Sequence, residues 1–172
     1  MKKGLLLFVI AGLFVTGCGK FQKTIVIPRE TLQNLMNKKF PIDGNLLIAR
    51  LTLDTPNVYF KDQRIGLKMN YSGNFLAEEI KGYMDINGQI MYKQGKGAFF
   101  LTDLNIEKFE VNGRNFSNEE KIKTVVQNIA NNCLAEYPVY QLNQKNFRQK
   151  IAKVFLKELT IKGETLVVRL GT

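Results

Sequence analysis

The 172-residue chain has no histidine and no tryptophan, and only two cysteines and four prolines. Without histidine, the usual general base and the commonest metal ligand are missing. With Cys18 and Cys133 as the whole cysteine complement, at most one intrachain disulfide can form. No glycine-rich phosphate loop, metal-ligand spacing or nucleophile elbow occurs. Low-complexity and disorder-type stretches are also missing. Hydrophobic residues make up 45% and charged residues 23%, an ordinary globular balance.

The chain opens MKKGLLLFVIAGLFVTGCGK. Lys2 and Lys3 form a basic n-region, and Gly4 to Phe14 is an uncharged apolar stretch too short to span a bilayer comfortably. Val15-Thr16-Gly17-Cys18 then resembles the bacterial lipobox, an aliphatic residue and two small ones before cysteine. The resemblance implies a diacylglyceryl thioether on Cys18, cleavage just before it, and acylation of the new amino group. Each buried methylene contributes about 0.8 kcal/mol, so two or three acyl chains hold far better than one. Gly19 stands where an aspartate would signal inner-membrane retention, which points to the outer membrane, facing the periplasm. The organisation read from this is a signal peptide at 1–17, an acylated tether at 18–23 and one domain at 24–172. Cys133 then remains as a lone thiol.

The net charge is +10; removing Lys2 and Lys3 leaves 23 basic against 15 acidic side chains, a net +8. A basic surface attracts nucleic acid, anionic headgroups or acidic polymers, and export removes nucleic acid from that set. The plainer reading is that the charge keeps the protein soluble.

Hydrophobic periodicity gives an α+β chain. Thr24–Ile27 reads as a short strand. Pro28 opens a helix carrying Leu32, Leu35, Met36 and Phe40, closed by Pro41 and Gly44. Leu47, Ala49, Leu51 and Leu53 then share one strand face, with a turn or bulge at Pro56-Asn57. Three strands of about 13 residues each follow. The first buries Ile65, Leu67, Met69, Tyr71, Phe75 and Ala77. The second buries Ile80, Met84, Ile86, Ile90 and Tyr92. The third buries Ala98, Phe100, Leu104 and Ile106, then shifts to Phe109 and Val111 across a bulge near Glu107-Lys108. At about 3.3 Å per residue such strands reach about 40 Å. An antiparallel sheet that long is expected to be strongly curved and wrapped around two or three helices. Ser117 and Glu120 form a capping box for a helix with the stripe Ile122, Val125, Val126, Ile129, Cys133 and Leu134. A third helix is expected from Asn143, carrying Phe147, Ile151, Val154 and Phe155. The chain ends in a hairpin that turns at Gly163-Glu164.

No residue is assigned a catalytic role. Cys133 lies on a buried helical stripe with nothing to activate it, so it reads as a small core hydrophobe. The pairs Glu78-Glu79 and Glu119-Glu120 diverge on a strand or a helix and do not converge on one atom. The chain is read as a non-enzyme without cofactor or metal. Lys145, Arg148, Lys150, Lys153 and Lys157 form a basic run on the third helix. It is either a solvated face or a contact for anionic headgroups of the anchoring membrane. Gly73, Gly82 and Gly88 fall among large apolar residues. They either ease a bend or leave volume unfilled. In the second case Leu67, Met69, Tyr71, Met84, Ile86, Phe100 and Leu104, faced by Val125, Ile129 and Phe155, line an apolar tunnel.

Five pieces of the chain resemble the YceB-like family of bacterial lipoproteins. They are the lipobox, TIVIPRETLQNLMNKKF, KGAFFLTDLNIEKFEV at 96–111, YPVYQL at 137–142 and the closing KELTIKGETLVVRLG. The region from Pro41 to Tyr71 departs from that pattern. The resemblance implies a long curved antiparallel sheet around helices, similar to tubular lipid-binding domains, and carries over no catalytic residue. Two functions follow as expectations. One is a lipoprotein that binds or carries a lipid or another apolar ligand. The other is a structural or adaptor lipoprotein with a filled core and an envelope protein as partner.

Overall fold

The computed structural model describes residues 22–93, 96–112, 119–142 and 156–171. In chain order these form β1 (Gln22–Pro28), α1 (Arg29–Lys39), β2 (Ile42–Leu46), β3 (Ala49–Leu53), β4 (Asn57–Lys61), β5 (Arg64–Phe75), β6 (Glu78–Lys93), β7 (Ala98–Asn112), α2 (Glu119–Glu136), β8 (Tyr140–Gln141), β9 (Leu156–Lys162) and β10 (Thr165–Gly171). The fold is α+β, with two helices and two antiparallel sheets among the described residues. A seven-stranded sheet runs β2-β3-β5-β6-β7-β8, with β4 added beside β5, and a three-stranded sheet runs β1-β10-β9.

The long strands arise as their alternation dictates. β5, β6 and β7 hold 12, 16 and 15 residues. Odd residues of β5 and even residues of β6 meet in register, Leu67 opposite Ile86, Met69 opposite Met84 and Tyr71 opposite Gly82. That shared row is the core face. The inner row of the smaller sheet (Ile25, Ile27, Ile161, Leu166, Val168) joins the same apolar cluster, as do Leu32 and Met36 of α1 and the stripe of α2. Full burial of one such side chain stabilises by roughly 1.5–3 kcal/mol. The two sheets therefore share one core.

Two glutamine amides close strand edges. On α1, Gln33 donates to the Pro56 carbonyl (2.8 Å) and accepts from the Val58 N–H (2.8 Å), at the open side of β4. Gln63 does the same for β9, donating to the Ile161 carbonyl and accepting from its N–H. Gln63 follows Asp62 in a two-residue hairpin turn, both with positive φ (61° and 48°). The β5–β6 turn is built likewise, with Leu76 at φ 51° and Ala77 at 67°.

Several expectations are corrected. Leu47 does not share a strand face with Ala49, Leu51 and Leu53. It sits at the tip of the β2–β3 hairpin, fully exposed (106%). Ala77 lies in the β5–β6 turn, outside the buried row. Segment 42–46 is a strand and not the end of a helical segment, because β3 supplies a partner for each of its residues. Segment 57–61 is likewise a strand, paired with β5. Lys157 is not helical. It lies in β9, whose Glu158 to Lys162 pair with β10. Ser117 and the third helix from Asn143, with Phe147, Ile151, Val154 and Phe155, lie outside the described residues, as does the leader with Cys18.

Candidate functional site

The inward row assembles as one unit. Leu67, Met69, Tyr71, Met84 and Ile86 are buried in the core cluster, and Leu104, Val125 and Ile129 pack with it. Phe155 lies outside the described residues. Phe100 belongs elsewhere. It pairs with exposed Met91 on the outer face, while Phe99 and Leu101 pair with Tyr92 and Ile90 on the core face. Phe100 is still buried (1% exposed), beneath the ammonium groups of Lys93 (4.4 Å) and Lys96 (5.4 Å). The reason is a second break in β7. Asp103 takes φ 50°, and the register against β6 shifts between Asn87 and Gln89. Residues on either side of it therefore face the core with opposite parity. The bulge expected near Glu107-Lys108 is also present, as a shift between Asp85 and Ile86 of β6.

The space at the core-facing glycines is taken. Tyr71 lies across Gly82, donates its hydroxyl to the Glu110 carbonyl (3.0 Å) and stacks on Phe109 at 5.5 Å. A Cβ at Gly82 would sit 2.6 Å from Tyr71 Oη and closer still to the Glu110 carbonyl. At Gly88 the occupant is Leu104, whose Cδ2 would be 2.6 Å from a Cβ. These glycines admit close neighbours and leave no room of their own. The buried Tyr92 hydroxyl has no hydrogen-bond partner among the described residues.

The outer face is polar. Tyr59 crosses Gly66 and donates to Asp85 Oδ1 (2.5 Å), with Lys68 Nζ 3.9 Å from the other carboxylate oxygen. Arg64 reaches Asn87 and Asp103, and Lys61 pairs with Glu107 at 3.0 Å. Exposed pairs of this kind contribute at most about 1 kcal/mol each. Burial pushes the Cys133 thiol above its usual range, with the Glu136 and Asp43 charges adding to it, so thiolate is scarce at neutral pH. Lys39 donates to the Pro138 carbonyl at 2.6 Å, and burial lowers its pKa. Glu78, Glu79, Glu119 and Glu120 are all exposed. Among the described residues no three acidic or thiol side chains gather to hold a metal, and no helix is long and apolar enough to cross a membrane.

Three cavities lined by described residues open at the surface. One of about 770 Å³ follows β2, between Asp43, Asn45, Arg50 and Thr52 and the end of α2 at Cys133, Glu136 and Tyr137. A second, about 590 Å³, continues from Asn45 and Arg50 to the hairpin tip at Leu47 and Ile48. The third, about 280 Å³, lies between the Gln63 turn and β9. No residue of the predicted inward lining borders any of the three. Lys157 is exposed on β9; Lys145, Arg148, Lys150 and Lys153 lie outside the described residues. Sequence reasoning passed over the β2 groove, because its distinguishing feature is the direction of main-chain groups.

The profile of a family described as a protein of unknown function (DUF1439) matches residues 28–164, from Pro28 before α1 to Glu164 in the last turn. A search of curated proteins returns no match.

Proposed function

The chain belongs to the DUF1439 family, and on that premise we propose that it is a lipoprotein anchored to the outer membrane through acylated Cys18, facing the periplasm and acting through its surface as a structural or adaptor module. The leader and lipobox at the start of the chain support the anchor. The observation that carries the surface reading is the occupancy of the glycine positions by Tyr71 and Leu104. A sheet whose apparent gaps hold side chains has lost the volume that an internal ligand would use. The basic residues Lys145, Arg148, Lys150, Lys153 and Lys157 are proposed to face anionic headgroups of the anchoring membrane.

A second reading, carriage of a lipid or another apolar ligand, is favoured by the buried Tyr92 hydroxyl, which has no hydrogen-bond partner among the described residues. It draws on the resemblance to YceB-like lipoproteins and tubular lipid-binding domains, and on the expectation of a curved sheet around α2, which packs against β7, β2 and β3. Native mass spectrometry of the full chain taken from membranes in detergent separates the two. The surface reading expects the mass of the acylated polypeptide alone. A stoichiometric lipid retained after detergent exchange would replace it with the carrier.

A further inference from the structure

One main-chain hydrogen bond fixes which groups β2 turns outward. The Leu76 N–H donates to the Ile48 carbonyl at 2.9 Å. Ala49 and Phe75, which stand opposite each other, are therefore a pair without mutual hydrogen bonds. Ala49 must direct its own N–H and C=O to Leu46 on β2, and the alternation continues through Leu51 with Gly44 and Leu53 with Ile42. Asp43 and Asn45 fall between those pairs, so their main-chain groups point away from the sheet. The Cys133 thiol, 4.0 Å from the Asp43 carbonyl, lies on that side. No glutamine amide covers this edge among the described residues, in contrast to β4 and β9.

Donors and acceptors alternating along an open strand are satisfied best by another extended chain. The walls specify its side chains. Asp43 and Glu136 place two carboxylates near Cys133. Arg50 stands opposite Asn45, one repeat of the strand further on. Neither Arg50 nor Glu136 has an ion-pair partner among the described residues. Past Asn45 the same surface runs into exposed Leu47 and Ile48, with Leu76 (60% exposed) beside them.

We propose that the β2 edge receives an extended segment of a partner protein. Its main chain pairs with Asp43 and Asn45. The segment runs antiparallel to β2: a basic side chain lies beside Asp43 and Glu136, an acidic one two residues before it lies beside Arg50, and an apolar one two residues earlier still meets Leu47. This rests on the adaptor reading and gives its partner a chemistry.

The test uses the full chain in detergent and an end-blocked, fluorescein-labelled peptide Thr-Leu-Thr-Glu-Thr-Lys-Thr, which runs antiparallel to β2 so that its lysine and glutamate stand opposite Asp43 and Asn45, followed by anisotropy. Binding is expected to weaken at least tenfold in Asn45→Pro, since an edge-strand proline removes the outward N–H and spares the bonds to β3. Arg50→Glu should weaken it as much, and the peptide with lysine in place of its glutamate should restore it. On the unmodified protein, N-methylation at the peptide's lysine and glutamate should abolish binding and methylation at its threonines should not, which keeps the test readable if Asn45→Pro does not fold. Absence of binding, or equal binding of all methylated peptides, overturns the proposal. So does a dimer that Asn45→Pro dissociates, which gives the edge to a second copy. Lipid content is read on the same preparation. Retained lipid with peptide binding intact removes the adaptor reading and leaves the edge; a dry protein that ignores the peptide does the reverse.

Discussion

Gln63 and Ile161 stand 98 residues apart in sequence, yet one side-chain amide joins them by two hydrogen bonds of 2.8 and 2.7 Å. A strand beside β9 would make the same two bonds. Gln63 sits in the left-handed region of the two-residue turn between β4 and β5. The pair is a clasp between the two sheets.

Gln63→Ala should therefore destabilise the protein by about 1–3 kcal/mol, the usual cost of leaving such groups unpaired. Chemical denaturation measures the loss. Hydrogen exchange at the Ile161 amide should accelerate with it, and an unchanged exchange rate would show that water serves that amide equally well.

Gly82→Ala tests whether the interior is filled. The new methyl meets Tyr71 Oη and the Glu110 carbonyl, and overpacking of this kind costs about 1–3 kcal/mol. A neutral or stabilising effect on the denaturation midpoint would mean that space exists on that side of the sheet.

Two tyrosines set an alkaline limit. Burial raises the pKa of Tyr59, with its hydrogen bond to Asp85 and that carboxylate's charge adding to it. Burial raises that of Tyr71 too, with a smaller effect of Glu119. Both hydroxyls hold their proton more tightly folded than unfolded. Their contribution is whole below about pH 10, the ordinary tyrosine value, and declines as pH climbs above it. Tyrosinate absorbance should rise in step with loss of structure, and Tyr59→Phe should flatten the decline. Early ionisation of both groups in the folded protein would contradict the assignment.

Cys18→Ser should leave an uncleaved precursor that is not acylated. Fractionation then finds the chain at precursor length, without thioether-linked lipid and missing from the outer membrane. Mature-length, membrane-bound protein from that variant would mean that something other than Cys18 holds it.

The long strands and α2 were legible because their apolar residues keep one period over many residues. The shorter strands were not. Asp43-Gly44-Asn45 carries three turn-forming residues inside β2, and the tips Leu47-Ile48 and Asp62-Gln63 lack the Asn-Gly signature that marks tight hairpins. The face of Phe100 is not legible because all four residues from Ala98 to Leu101 are apolar, so no alternation reveals the break at Asp103. Lys157 continues the spacing of Lys150 and Lys153, and only the pairing of β9 with β10 takes it out of a helix. The candidate groove depends on where two residues aim their main chain, which no side-chain pattern encodes.

The Leu76-Ala77 turn bears on how the molecule assembles. Each residue there sits where an L side chain costs roughly 1–2 kcal/mol. A hairpin with such an end is a poor nucleus. The β5–β6 ribbon is then expected to zip from Met69 and Met84 outward and to close its tip last. Asn-Gly in place of that pair should slow unfolding and leave the folding rate nearly as it was.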